Sequence, residues 1–457
     1  MEMHSSAMSD ARRSALRTLA GSRFALRHAN PARLLLAGYL SYIVVGWCLL
    51  SLPFAQSQPV SALDNLFMAT SAVSTTGLVS VDPGSSYTFF GEAVLLLLIQ
   101  LGGLGYMTVG SFAVLALAHN LGPLRQTTAR AAFSLPADMN VASFLRSVVL
   151  FTVVTELIGM LILWDLFSNR GVENPLWSAL FHSVSAFCTA GFSLFPNSFE
   201  DFRADVPVNL TIAALSLLGA MGFIIIGDTW RTMTGRKRKL GFTSKVIARM
   251  TLIFLVVGTA LLFVAEPGID ALPPGERLLT AFFQTMTAST TVGFDTYPIG
   301  SLTHASIIVL IFLMAIGASP AGTGGGLKTT TFAVLLGLVR STLRGRRNVH
   351  FFHRQVKPAR VQTAGAALAY FLGLMLIALF LLLLTEPQAT FEKVVFEAVS
   401  AMGTVGLSMG ITGELSYLGK LIIVVLMIAG RLGFLTFGIA LATVDEPNEK
   451  SDNDLVL

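Results

Sequence analysis

The chain has 457 residues, 53% of them hydrophobic and 12% charged, with a formal net charge of +5. A soluble domain carries roughly 25% charged residues, so this composition, with a mean hydropathy of +0.71, excludes a soluble multidomain protein and makes lipid the main solvent. Cys48 and Cys188 both lie in apolar stretches, which leaves neither a disulfide framework nor a thiolate metal site.

In chain order, residues 1–33 form a basic tail whose stretch 11–27 reads as amphipathic and suited to an anionic inner leaflet. The apolar run after Arg33 is a full span without a small-residue cleavage pattern, so it is expected to stay as an anchor. From there one unit recurs: a long apolar span, a short apolar segment, a Gly-containing loop, a second long span. The spans are 34–52 and 91–118, 146–167 and 207–230, 247–265 and 302–340, 363–385 and 416–443. The short segments are 61–73, 174–187, 276–289 and 391–402, each about 13 residues or roughly 20 Å as a helix, too short for a core of about 30 Å. They read as re-entrant helices, with helix starts expected at Asn174-Pro175 and at Thr390. The repeats are therefore 34–118, 146–230, 247–343 and 361–443, followed by an acidic tail 444–457. The fold class expected is an all-α integral membrane protein: four pseudo-symmetric repeats, eight spans and four re-entrant helices around one central pore.

Charge placement orients this frame. Of 31 Lys and Arg, 23 fall in four segments: 6 in 1–33, 3 in 119–146, 7 in 231–249 and 7 in 340–360. Basic clusters beside apolar spans mark cytoplasmic loops, so both termini are expected inside. Because each cluster abuts an apolar run, nucleic-acid binding is excluded. The intervening polar segments lean acidic, with Asp64, Glu173, Glu266 and Glu386 among them, and belong outside.

The loops after the short segments align without gaps. Ser71-Ala72-Val73-Ser74-Thr75-Thr76-Gly77-Leu78 matches Ser185-Ala186-Phe187-Cys188-Thr189-Ala190-Gly191-Phe192, Thr287-Ala288-Ser289-Thr290-Thr291-Val292-Gly293-Phe294 and Ser400-Ala401-Met402-Gly403-Thr404-Val405-Gly406-Leu407. Four copies in one place within a larger unit establish internal repetition. A dehydrated cation needs a ring of oxygens, which backbone carbonyls of four extended loops can supply. Glycine opens the backbone angles such a loop needs, and the short helices would aim negative C-terminal ends at the ion. Thr-x-Gly is also what an ordinary helix C-cap and turn would look like.

Residues 302–340 cannot be one straight helix, which would extend almost 60 Å. The interruption is Gly317-Ala318-Ser319-Pro320-Ala321-Gly322-Thr323-Gly324-Gly325-Gly326-Leu327-Lys328. As the one break among the four repeats, it is expected to line a water-filled cavity at membrane depth. Its likeness to a phosphate-binding loop lacks the required spacing. Arg431 sits in mid-span, at a cost of roughly 2.5–3.5 kcal/mol on insertion scales, and faces the pore or pairs with a buried carboxylate such as Glu156. Asp228 lies at a span end. The seven His and the carboxylates show no catalytic or metal-ligand spacing, so no enzyme activity and no cofactor are expected.

Over residues 33–443 the chain resembles the membrane subunits of the Trk/Ktr/HKT superfamily of potassium uptake systems, the KtrB type in particular. That resemblance implies four M1–P–M2 repeats forming one channel-like pore in a bacterial inner membrane. It implies potassium selectivity, because all four filter positions, Gly77, Gly191, Gly293 and Gly406, are glycine. Thr75, Thr76, Thr189, Ala190, Thr291, Val292, Thr404 and Val405 complete the implied filter. The same resemblance makes Gly317, Pro320, Gly322, Gly324, Gly325, Gly326 and Lys328 a gate and Arg431 an electrostatic barrier. It implies a homodimer on a cytosolic ring of KtrA-type regulatory subunits, with ATP or ADP bound by the ring and not by this chain. Whether sodium drives uptake stays open, and so does a Trk-type or sodium-permeable alternative. A secondary symporter with alternating access would instead show two inverted repeats with matching breaks.

Overall fold

The computed structural model describes residues 31–105, 141–233, 239–346, 348–351 and 354–441. The basic tail up to residue 30, the segment 119–140, the extension of the second span beyond residue 105 and the acidic tail 444–457 lie outside the described residues. Among the described residues the α-helices of eight residues or more are α1 (Pro31–Leu50), α2 (Ala62–Ser74), α3 (Phe89–Leu104), α4 (Val141–Ser168), α5 (Pro175–Phe187), α6 (Val206–Met221), α7 (Phe223–Met233), α8 (Phe242–Ala265), α9 (Pro274–Thr290), α10 (His304–Ala315), α11 (Thr329–Leu343), α12 (Pro358–Thr385), α13 (Phe391–Gly403), α14 (Tyr417–Leu432) and α15 (Phe434–Leu441). One two-residue hairpin, β1 (His350–Phe351) and β2 (Arg354–Gln355), joins α11 to α12.

The chain is a mostly helical membrane protein. Leu145–Ser168 of α4, all of α8 and all of α12 are each long and apolar enough to cross a membrane, and the pairs α6–α7 and α14–α15 qualify only together. Large apolar side chains such as Leu376, Ile377 and Phe380 of α12 stay exposed on the outside of the bundle, the arrangement expected where lipid is the solvent.

The four short helices α2, α5, α9 and α13 fall within two residues of the segments read from sequence. Each packs between the long helices before and after it, and each second helix packs on the next short helix: α3 on α5, α6 on α9, α10 on α13, and α14 back on α2. A polar link marks each of these joints. Trp177 donates to Glu92 (2.5 Å), Arg203 pairs with Glu276 (2.7 Å), His304 with Glu392 (2.7 Å) and Lys420 with Asp64 (2.7 Å).

One expectation holds and another fails. Helices α5 and α13 start at Asn174-Pro175 and at Thr390 as expected, although neither side chain makes a cap hydrogen bond, whereas Ser61 caps α2 through the Asp64 amide. Asn174 lies in the left-handed region and leaves the start of α5 to Pro175. More consequentially, the third repeat does not hold the one break. Helix α6 turns 96° into α7 at Gly222, and α14 turns 109° into α15 at Gly433. Helix α3 stops at Leu104 before Gly105, which has φ +79° like Gly222 (+84°) and Gly433 (+83°). The sequence signal is Gly102-Gly103-Leu104-Gly105, Gly219-Ala220-Met221-Gly222 and Gly430-Arg431-Leu432-Gly433. The last glycine of each supplies the positive φ. The first admits a backbone: a methyl group on Gly102, Gly219 or Gly430 would lie 2.2, 1.9 or 2.2 Å from the Val73, Phe187 or Met402 carbonyl oxygen of the same repeat.

Candidate functional site

The four loops end their helices in one way. Thr75, Thr189, Thr291 and Thr404 have φ of +50°, +50°, +60° and +51°. The next amide in each reaches back five residues: Thr76 to Ser71 (2.9 Å), Ala190 to Ser185 (2.8 Å), Val292 to Thr287 (3.1 Å) and Val405 to Ser400 (2.9 Å). This is the closure that satisfies the last carbonyls of a helix. The helix-cap reading of Thr-x-Gly and the ligand-loop reading therefore describe the same residues. Gly77, Gly191, Gly293 and Gly406 follow at φ of +90°, +67°, +83° and +96°, and the residues between have negative φ. Alternating the hand of successive residues turns neighbouring peptide groups the same way, so their carbonyls share one side instead of alternating as in a strand.

Glycine contacts join the loops into a closed ring. A methyl group on Gly77 would lie 2.4 Å from the Ala190 carbonyl oxygen, on Gly191 2.3 Å from that of Val292, on Gly293 2.0 Å from that of Val405, and on Gly406 2.3 Å from that of Thr76. Each loop thus lies against the next, and the fourth against the first. All eight Thr, Ala and Val residues of the ring are buried. Serine hydroxyls that sequence reading passed over brace it: the amides of Gly77 and Gly406 donate to Ser71 and Ser400 (3.1 Å each), and Ser185 donates to the Phe192 carbonyl (2.8 Å).

The Gly-rich loop, residues 316–328, docks on the threonines of this ring. Thr75 Oγ1 donates to the Thr323 carbonyl (3.2 Å), Thr189 Oγ1 lies 3.0 Å from Thr323 Oγ1, and Thr404 Oγ1 accepts from the Gly325 amide (2.8 Å). A methyl group on Gly324 would sit 2.0 Å from Thr291 Oγ1. Residues 323–325 therefore touch all four ring threonines, and Thr323 joins the site although its side chain was not singled out. Gly317 and Gly326 pack on each other where the loop folds back. Lys328 Nζ donates to the Gly324 carbonyl (2.7 Å) and ties the loop to the start of α11. Pro320 and Gly322 lie apart from the ring, against Gly222 and Ala220.

Arg431, in the last turn of α14, does not pair with Glu156. Its Nε donates to the Tyr39 hydroxyl (3.2 Å) and its Nη2 to the carbonyls of Gly102 and Gly103, the last turn of α3. Tyr39 in turn donates to the Val73 carbonyl (2.5 Å). A guanidinium at a helix C-terminus satisfies acceptors that have no partner within the helix. Glu156 instead accepts from the thiol of Cys188 (3.7 Å). Asp228 of α7 caps the start of α8, accepting from the Gly241 amide (2.9 Å) and the Ser244 hydroxyl (2.7 Å).

A closed ring of backbone carbonyls inside an apolar helical frame defines a membrane protein suited to a bare cation. Residues 39–452 match the family model described as TrkH, cation transport protein, and the chain belongs to that family. It is 37% identical to the Ktr system potassium uptake protein B of Vibrio alginolyticus over 96% of both chains. It is 36% identical to the protein of the same description from Bacillus subtilis, over 92% of this chain and 94% of that one. Identity to the potassium/sodium uptake protein NtpJ of Enterococcus hirae is 33%, over 90% and 92%. The solved structure of the potassium transporter TrkH from Vibrio parahaemolyticus superposes with a TM-score of 0.70 at 18% identity, over 93% of this chain and 95% of that one. The family is one of transporters, not enzymes.

Proposed function

We propose that the chain is the ion-translocating subunit of a potassium uptake system, with four M1–P–M2 repeats around one pore. In this reading potassium passes the ring formed by Thr76-Gly77, Ala190-Gly191, Val292-Gly293 and Val405-Gly406, and the loop 316–328 is the gate. The closed cycle of glycine-to-carbonyl contacts carries the reading, because a ring of equivalent oxygens is what replaces a hydration shell. The gate follows from position: a loop touching all four ring threonines obstructs the path, and its glycines make it cheap to move. The bends of α6–α7 and α14–α15, the Gly-rich loop after α10 and the end of α3 at Gly105 follow the rotational order of the repeats. That order favours a pore over the inverted pairs of an alternating-access symporter. The description of the Enterococcus relative keeps sodium as a second permeant or coupling ion. The phrase Ktr system in the descriptions of the relatives supports a multi-component assembly, read here as a homodimer on a nucleotide-binding cytosolic ring, with both termini inside.

The test is flux into liposomes with potassium, rubidium, sodium and lithium compared, for the full chain and for a variant lacking residues 317–326. Potassium and rubidium should pass in preference to sodium, and the deletion should raise flux without removing that preference. Equal flux of all four ions would overturn the filter. Flux that stays low in a well-folded deletion variant would overturn the gate.

A further inference from the structure

The break between α6 and α7 shares its hydrogen bonds with the docked loop in a particular way. The Ser319 amide donates to the Ala220 carbonyl (3.0 Å), the Thr323 amide to the Gly219 carbonyl (3.2 Å), and the Phe223 amide donates to the Ala321 carbonyl (3.0 Å). In an uninterrupted helix each amide donates four residues back. The Phe223 amide would then bond the Gly219 carbonyl, and the Ala220 carbonyl would accept from residue 224. The loop therefore occupies one donor and two acceptors that a straight helix would satisfy within itself. A buried amide or carbonyl without a partner is costly. Loop release with the bend retained would leave two such groups, the Phe223 amide and the Ala220 carbonyl, since the Gly219 carbonyl also accepts from the Gly222 amide (3.3 Å); release with straightening would leave neither.

We infer that α6 and α7 form a two-state helix, bent while the Gly-rich loop is docked and continuous once it leaves, so that the second repeat holds the gate shut. The inference rests on the gate reading above. One residue absorbs most of the change. Gly222, at φ +84°, stands where a methyl group would meet the Pro320 carbonyl oxygen at 2.6 Å and the Gly322 nitrogen at 2.9 Å. An alanine there fits the helical backbone and opposes both the bend and the docked loop. Gly105 and Gly433 hold the same positive φ with no atom of the described residues in reach, so among the described residues the latch is specific to the second repeat. Asp228 carries the movement of α7 to the first turn of α8, whose start is also touched by Arg354 of the hairpin, stacked 5.3 Å over Phe242. Hairpin and α11 pack together, which gives cytosolic forces on that surface two routes to the loop.

The experiment measures the bend itself. Spin labels are placed at Leu210→Cys and Met233→Cys, both exposed positions, in the full chain carrying Cys48→Ser, in lipid nanodiscs. From the helical rise, a straight α6–α7 would separate the two sites by about 35 Å, and a right-angled one by about 23 Å. The unaltered loop should give the short distance. Deletion of 317–326 should give the long one, and Gly222→Ala should populate it and raise potassium flux into liposomes about fivefold, the helix preference of alanine over glycine expressed as a population ratio. A short distance in both variants overturns the inference, even if the deletion raises flux and so leaves the gate reading intact. A long distance in both with flux unchanged would uphold the switch and remove the gate.

Discussion

The ring recurs in all four repeats and the glycine break beside it in three, with a longer Gly-rich loop in the other, yet ring and breaks behave in opposite ways. In the ring, each copy makes the same backbone closure, down to the left-handed threonine and the glycine lying on its neighbour's carbonyl. At the breaks, each copy satisfies its freed backbone differently. Arg431 takes the first, the Gly-rich loop takes the second, the third has grown into that loop, and the fourth supplies the arginine. A ligand cage needs equivalent oxygens, so divergence there would spoil every copy. A gate needs one moving part, and the other copies only have to avoid leaving polar groups unpaired in the membrane.

The largest effect should come from disturbing equivalence in the ring. Gly293→Ala places a side chain 2.0 Å from the Val405 carbonyl oxygen at a φ of +83°. Neither the cage nor the turn can accept that without moving. Potassium uptake should fall at least about 100-fold, equivalent to roughly 3 kcal/mol, in protein that still reaches the membrane. Gly433→Ala, where no atom lies within reach of the added methyl group, should cost far less. Equal losses at the two glycines would erase the contrast between ring and break.

An intermediate effect should follow from the first break. Arg431→Met strips the Gly103 carbonyl of its donor, while the Gly102 carbonyl keeps the Gly105 amide (3.1 Å) and the Tyr39 hydroxyl keeps the Val73 carbonyl. Leaving such a group unpaired costs about 1–3 kcal/mol, so the thermal unfolding midpoint should drop in detergent. On the expectation that Arg431 is an electrostatic barrier, potassium flux through the surviving protein should rise with the charge removed. Arg431→Lys should keep low flux but recover only part of the stability, because one ammonium nitrogen cannot stand both where Nη2 meets the Gly102 and Gly103 carbonyls and where Nε meets the Tyr39 hydroxyl. Unchanged stability in both variants would mean that the break does not depend on the arginine.

The same contrast explains what sequence reading could reach. The short helices were legible because polar and Gly-rich segments bound them on both sides, and the loops because four aligned copies make an otherwise ordinary octapeptide meaningful. The loop 316–328 was legible because five glycines and a proline stop any helix. The bends at Gly222 and Gly433 were not, since a lone glycine in an apolar run is tolerated in a helix and hydropathy is blind to direction. Only aligning Gly-x-Leu-Gly or Gly-x-Met-Gly across repeats would have exposed them. The partners of Arg431 were hidden for another reason: they are backbone carbonyls, which have no side-chain signature, and so a carboxylate such as Glu156 stood in for them. Asn174 and Thr390 do mark the starts of α5 and α13, although their side chains make no cap hydrogen bond, because backbone geometry decides whether a side chain can reach.

The smallest predicted effect lies one step outside the ring, where equivalence ends again. The positions two residues after the ring glycines are Val79, Ser193, Asp295 and Ser408, so only the third repeat carries a charge there. Asp295 is partly buried beside Ser198, and its backbone joins that loop, since the Phe199 amide donates to the Asp295 carbonyl (2.9 Å). Burial pushes its carboxyl up to about 7, against a hydrogen bond from Ser198 that favours the charged form. With the value raised, the carboxylate is present above about pH 7 and lost as pH falls through it. The same shift makes folding less favourable as pH rises toward 7, so protonation of Asp295 does not itself destabilise the fold in acid. A unit charge near the entrance, within a screening length, is worth about 0.5 kcal/mol. Potassium uptake at subsaturating concentration should therefore fall about twofold when external pH drops from about 8 to about 6. Asp295→Asn should sit at the lower level and lose the pH step. A variant that keeps the step would assign it to another group and leave the outer mouth as indifferent to its third repeat as the ring is.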